Sequence, residues 1–205
     1  MTETSKELPT TLSYTDDDIS QDVKRKQYAA GWYALLCTGN TPKISQAGGV
    51  MFVQQWSPLK DASDPESKAR QHIRDYMTLP FANPAVEGHK APNTLGLCHG
   101  RLLAVSFPGV LEYPRTVDGV LVFDGEEISK EDSEAARKKV AASTRDLLLE
   151  VYNDPSKFVG CVAFGEVAVD GDYNKIKRFR SSLPEDAELL SPEHWFDGGV
   201  KDGGE

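Results

Sequence analysis

The sequence has no long apolar run: no segment of its 205 residues approaches the roughly 18 consecutive apolar side chains that a membrane-spanning helix requires. Residues 1–9 also lack the apolar centre of a secretory signal peptide. Cysteine is scarce, and Cys37, Cys98 and Cys161 lie far apart, which is typical of small buried side chains in a reducing compartment rather than of a disulfide framework. We therefore expect a cytoplasmic protein that does not contact a membrane.

The spacings of common catalytic and metal sites are absent as well. Gly48 and Gly49 are not followed by the Gly-Lys-Ser/Thr of a phosphate-binding loop, and no Gly-x-Ser-x-Gly elbow occurs. No Cys-x-x-Cys or His-x-x-x-His pair offers the closely spaced ligands of a zinc site. The acidic runs 16–18 and 126–127 could bind a divalent ion, but we interpret both as solvated surface. The sequence thus predicts a protein that is not an enzyme and holds no metal or cofactor.

Negative charge is concentrated at the two ends of the chain. The formal net charge is −9, and residues 1–23 carry six acidic side chains against one lysine. Residues 184–205 carry seven acidic side chains against one lysine, so residues 24–183 retain a net charge of +2. A mildly basic body is compatible with a nucleic-acid-binding protein, and equally with a neutral domain that has soluble ends. We predict an acidic flexible segment at 1–23, a folded domain at 24–183 and an acidic tail at 184–205.

Five segments have the β-branched, aromatic or alternating pattern of strands, namely residues 31–38, 50–56, 69–79, 158–169 and 173–180. A short helix is predicted within residues 93–106, and a long helix begins after Ser129 and ends near Pro155. The sequence therefore predicts a mainly β protein with helices, in which the long helix lies between strands 3 and 4. This order fits a five-stranded OB-fold, a small closed β-barrel that holds oligonucleotides, with flexible acidic termini.

The last predicted hairpin carries the clearest binding pattern. An Asp-Gly turn at residues 170–171 joins its two strands. Alternation along the returning strand predicts that Tyr173, Lys175, Lys177 and Phe179 share one face. Aromatic rings stack on bases while ammonium groups sit near phosphates, so this face suits a single-stranded nucleic acid. The alternative is a solvated edge strand whose lysines discourage aggregation.

Further candidates come from the third predicted strand and from loops near it. Tyr76 has charged or polar neighbours on its own face, which favours a stacking role over burial. The candidate nucleic-acid-binding residues are Lys43, Arg74, Tyr76, Tyr173, Lys175, Lys177, Phe179 and Arg180. In the acidic tail, Trp195 and Phe196 form either the centre of a partner-docking peptide or an anchor that packs the tail on the domain.

Four short motifs resemble the OB-fold single-stranded DNA-binding proteins encoded by tailed bacteriophages. They are Gly31-Trp-Tyr33 on the first strand, Lys43-Ile-Ser-Gln-Ala-Gly48 before the second, Ile73-Arg-Asp-Tyr76 on the third, and Phe158-Val-Gly160 with Tyr173-Asn174 around the last hairpin. The resemblance covers residues 28–180. Two features depart from it: residues 107–127 look like an insertion, and the tail lacks a dense acidic run that ends in an aromatic residue.

The resemblance implies sequence-independent binding of single-stranded DNA during phage DNA replication or recombination, in the cytoplasm of the host. It also implies that the acidic tail recruits replication or recombination proteins. Whether the chain is a monomer or a homodimer stays open. Two other functions also stay open: a phage structural or adaptor protein that docks proteins on a similar barrel, and a metal-dependent nuclease.

Overall fold

The computed structural model describes residues 27–171 and 173–193 and the backbone of residues 195–196. Within these residues the chain forms ten strands and two α-helices. The strands are β1 (Gln27–Tyr28), β2 (Gly31–Ile44), β3 (Val50–Pro58), β4 (Ile73–Thr78), β5 (Arg115–Val117), β6 (Val120–Phe123), β7 (Glu126–Glu127), β8 (Val162–Asp170), β9 (Tyr173–Arg180) and β10 (Trp195–Phe196). The helices are α1 (Leu95–Ala104) and α2 (Lys130–Asn153), and neither is long and apolar enough to cross a membrane. The predicted acidic segment 1–23 lies outside the described residues.

Five of the strands form one antiparallel sheet in the order β4-β3-β2-β8-β9. The central strand β2 is apolar on both faces: Tyr33 and Leu35 face the main core, whereas Ala34 and Leu36 belong to a smaller cluster on the other face. Because successive side chains of a strand point to opposite faces, this unbroken apolar run is buried on both sides of the sheet. The prediction of five strands, with the long helix between the third and the fourth, is confirmed.

The predicted closure of this sheet into a barrel is wrong. The edge strands β4 and β9 approach each other, with Cα atoms within 8 Å, but the sheet order contains no hydrogen-bonded pairing between them. Side chains meet in the space between the two strands instead: Arg101 of α1 contacts Asp75 on β4 and Phe179 on β9. We call the gap between β4 and β9 the seam.

The main core lies between one face of the sheet and the two helices. Helix α1 contributes Cys98 and Leu102, and α2 contributes Leu148 and Val151. Trp56 on β3 is fully buried among these elements. Burying a leucine such as Leu102 or Leu148 contributes about 1.5–3 kcal/mol, so the helices hold the sheet mainly through this core.

Helix α2 begins and ends where the sequence predicts. The Ser129 hydroxyl oxygen accepts a hydrogen bond from the Asp132 backbone N–H at 3.0 Å, which satisfies one of the free donors of the first turn. Asp154 and Pro155 follow its last residue, and a proline ring cannot continue the helix. Its buried stripe is Ala136, Val140, Thr144, Leu148 and Val151. Leu147, next to this stripe, is only half-buried.

Residues 107–127, predicted to be an insertion, contain the three-stranded sheet β5-β6-β7. Both of its turns are Asp-Gly pairs with left-handed backbone: Asp118 and Gly119 have φ of 50° and 84°, and Asp124 and Gly125 have φ of 53° and 83°. Two consecutive positive φ angles match the twist of a tight hairpin, and Asp-Gly pairs adopt them readily. The same turn signal that identified the last hairpin therefore also explains this sheet.

The segment after β9 returns to the start of β2. Leu189 forms a bridge with Trp32, and the Leu190 N–H donates to the Trp32 carbonyl at 2.7 Å. The Lys60 ammonium group pairs with Glu193 at 2.7 Å. Part of the predicted tail is thus packed on the domain, which extends beyond residue 183.

Candidate nucleic-acid interface

A groove of about 630 Å³ lies along the seam, and we call it the seam groove. Strands β4 and β9 form its two walls, and Gln27 and Gln71 line one end. Four of the predicted binding residues line it: Arg74 and Tyr76 from β4, and Tyr173 and Lys175 from β9. These pairs come from segments about a hundred residues apart in the sequence, so only the curvature of the sheet brings them together.

The two tyrosine rings project from opposite walls of this groove into solvent. Tyr76 is 56% exposed and Tyr173 is 60% exposed, well beyond the exposure of a core aromatic residue. The inward positions of β4 explain the outward ones: Ile73 and Met77 are buried, so Arg74 and Tyr76 must face away from the core. Both rings are therefore accessible to a planar ligand.

Two cationic side chains, Arg74 and Lys175, line the seam groove together with the tyrosine rings. Arg74 forms no ion pair with any residue that the structure describes. Lys175 lies 3.9 Å from Asp170, and both side chains are more than half exposed. A surface pair of this length contributes little, typically below about 1 kcal/mol, so Lys175 can exchange Asp170 for an anionic ligand.

Phe179 does not share the face of Tyr173 and Lys175, so the predicted alternation of β9 is wrong at its end. The register with β8 shifts, with Arg178 opposite Glu166 and Ile176 opposite Val167, which leaves Lys177 as an extra residue in a β-bulge. The extra residue turns Phe179 towards the core, where its ring lies 4.8 Å from that of Trp56. Phe179 thus forms part of the core side of the seam rather than an exposed platform.

Arg101 at the seam was not among the residues that the sequence singled out. Its Nη1 donates to Gln54 Oε1 at 2.7 Å and to Asp75 Oδ2 at 2.8 Å, and its guanidinium carbon lies 3.5 Å from the centre of the Phe179 ring. Burial lowers the pKa of this guanidinium, and Asp75 counteracts that shift. A signal existed in the sequence, because Arg101 follows Cys98 by three residues on the buried stripe of α1.

Three predicted cationic residues do not line the seam groove, namely Lys43, Lys177 of the β-bulge and Arg180. Lys43 is exposed on β2 opposite Met51, which in turn lies opposite Thr78, so it is two strands away from β4. Arg180 lies opposite Phe164 at the far end of β9. The structure therefore does not bring Lys43 and Arg180 together with the four groove residues.

The predicted partner-docking residues form a strand. In β10, Trp195 pairs with Tyr28 and Phe196 pairs with Gln27, which also lines the seam groove. This backbone pairing fits the alternative that the tail is anchored on the domain. The rest of the predicted tail after Phe196 lies outside the described residues.

Metal-ligating and thiol side chains are candidates for chemistry at any site. No group of three or more His, Cys, Asp or Glu side chains is placed to hold a metal ion within the part of the chain that the structure describes. Burial raises the pKa of Cys37 to about 12 and that of Cys98 to about 11, so both thiols stay protonated at neutral pH. A protonated thiol is a poor nucleophile, so neither cysteine is suited to covalent catalysis.

No protein-family model matches this sequence, and no curated protein matches it.

Proposed function

We propose that this protein is a non-catalytic, sequence-independent single-stranded DNA-binding protein that acts in phage DNA replication or recombination. The observation that carries the proposal is the placement of two exposed tyrosine rings, Tyr76 and Tyr173, on opposite walls of one groove. A base that enters the groove can stack on either ring, and Arg74 and Lys175, which line the same groove, would contact the flanking phosphates.

The energetics support binding without sequence preference. Stacking contributes about 1–3 kcal/mol per base, and every base has a π-face, so two rings favour any single strand over a duplex whose bases are already stacked. Lysine and arginine contribute through counterion release, which is also independent of sequence. Besides the two tyrosines, Arg74 and Lys175, the groove is lined by His72, by Asp75, which is paired with Arg101, and by uncharged polar or aliphatic residues.

An OB-like architecture is part of the proposal. The five-stranded sheet of an OB-fold need not close completely, and it binds oligonucleotides on its strands and loops. In this chain the two edge strands of a five-stranded sheet lie side by side without pairing, and the long helix stands between the third and fourth strands. A partly open barrel would place the seam groove at its opening.

Fluorescence titration tests the proposal. Adding oligo-dT at two salt concentrations should quench the intrinsic tyrosine and tryptophan emission, and the affinity should fall as salt rises. The double variant Tyr76→Ala and Tyr173→Ala should bind at least about tenfold more weakly, because two stacking platforms are lost. Tyr113→Ala is the matched control, since Tyr113 is also exposed but belongs to neither the seam groove nor β4. An absence of binding at low salt would end the proposal.

A protein-docking role is the second candidate, and a specific observation favours it. Val117 and Val120 flank the turn of the β5-β6 hairpin, and they are 42% and 37% exposed. An adaptor would use this apolar hairpin to dock a partner protein and would ignore DNA. The two candidates separate in the same titration, because an adaptor gives no oligo-dT quenching.

In the DNA-binding proposal, the acidic tail recruits replication or recombination proteins.

A further inference from the structure

A second cavity, of about 430 Å³, continues the seam groove towards helix α1, and we call it the α1 cavity. Tyr76 lines both spaces, so its ring stands at the junction between them. The α1 cavity is bounded by β4, by the end of β9 and by the first turns of α1. An extended ligand that leaves the seam groove past Tyr76 would enter the α1 cavity directly.

The lining of the α1 cavity combines an apolar surface with one available cation. Leu97 is 77% exposed, the largest exposure among the exposed large hydrophobic residues of the described part of the chain. Lys177 is presented to the cavity by the β-bulge and forms no ion pair with a described residue. The two arginines at the cavity already have partners, Asp75 for Arg101 and Glu166 for Arg178.

Two glycines keep this surface of α1 open. Gly96 and Gly100 are one helical turn apart, and a Cβ atom added at either would meet nothing within 4 Å. Neither has a positive φ, so neither is needed for the backbone conformation of the helix. Glycine weakens a helix relative to alanine, yet the packing of this domain does not require either glycine. Their effect on the structure is to leave room in the α1 cavity.

Resting on the proposed function, we infer that the α1 cavity is a second nucleobase subsite of the same single-stranded DNA site. A base lies against Leu97 and the open surface at Gly96 and Gly100, with the Tyr76 ring as its wall towards the seam groove. The adjoining phosphate meets Lys177. The bound strand therefore follows the seam from Gln27 to α1 rather than ending at Tyr76.

The test fills the α1 cavity without disturbing the seam groove. Gly100→Leu adds a strong helix former where space is open, so the melting temperature should stay equal or rise by a few degrees. Its affinity for oligo-dT of about 4 nucleotides should equal that of the unmodified protein, whereas its affinity for oligo-dT of about 12 nucleotides should fall about tenfold. Ala142→Leu, which adds the same side chain to the exposed surface of α2, should change neither affinity.

Lys177→Gln gives an independent readout on the rim of the cavity. It should weaken binding of the longer oligonucleotide and lower its salt slope by about one, because one phosphate contact is lost. Equal binding of both oligonucleotides by Gly100→Leu and the unmodified protein would overturn the subsite while leaving the proposed function standing. A loss of equal size for both lengths would also overturn it, because the cavity would not be a separate subsite. If the unmodified protein binds neither length, the proposed function itself fails.

Discussion

Arg101 joins the two edge strands of the sheet through a single side chain. Its guanidinium group pairs with Asp75 on β4 and covers the ring of Phe179 on β9, and a third contact reaches the buried amide of Gln54. A guanidinium can do this because it is planar, carries five donors in a fixed fork and stacks on aromatic faces, which an ammonium group cannot match. These contacts link β4 to β9 beside the seam groove.

Arg101→Ala should lower the free energy of unfolding by about 2–4 kcal/mol. The change leaves the largely buried carboxylate of Asp75 without its partner and removes the stack on Phe179. Urea denaturation measures the loss. Lys138→Ala, which breaks the exposed pair with Glu134, is the control and should cost less than about 0.5 kcal/mol. If both variants lost the same small amount, Arg101 would not hold the seam together.

At the scale of the element, the β-bulge in β9 decides which side chains face the groove. Strict alternation would place Phe179 with Tyr173, but the extra residue Lys177 shifts the last part of the strand by one position. The sequence gives no signal of this β-bulge, because a lysine at position 177 is equally compatible with a regular exposed position of the strand. The bulge also carries Lys177 to the α1 cavity, as is common for bulges beside binding sites.

Deleting Lys177 should therefore be tolerated. Without the extra residue, Ile176 and Phe179 keep their inward positions and β9 pairs with β8 in regular register, so stability should change by less than about 1 kcal/mol. Deleting Lys175 instead turns Asn174 outward and removes its two hydrogen bonds to the Tyr28 backbone, which should cost about 2 kcal/mol or more. Urea denaturation of the two deletions compares them. Equal losses would mean that β9 has no bulge at Lys177.

At the scale of the whole molecule, several ionisable side chains are buried in their neutral form. Burial raises the pKa of Tyr33 from 10.0 to about 12 and that of Cys37 from 9.0 to about 12, and the pKa of Tyr28 is raised as well. The native state therefore holds protons that the unfolded chain releases at lower pH. This stabilising contribution is complete below about pH 9 and is lost as pH rises towards 12.

The free energy of unfolding should fall between about pH 10 and pH 12 by at least about 1.4 kcal/mol per pH unit, the value for one proton. Urea denaturation at a series of pH values measures this slope. Tyr33→Phe removes one of the titrating groups, so its slope should be smaller even though the hydrogen bond to the Ala29 carbonyl is lost. A stability that stays constant from pH 9 to pH 12 would contradict the burial of these groups.

The sequence by itself determined the five strands of the main sheet, both helices and the cap of α2, because these depend on local alternation, turn residues and capping groups that a short window contains. It also predicted outward positions for Arg74, Tyr76, Tyr173 and Lys175 from the alternation of their strands, and all four side chains are exposed. The tertiary structure alone decided that these four share one groove, that β4 and β9 remain unpaired, and that Phe179 faces Trp56 under Arg101. Such features depend on sheet curvature and on contacts between residues distant in sequence, which no local pattern records.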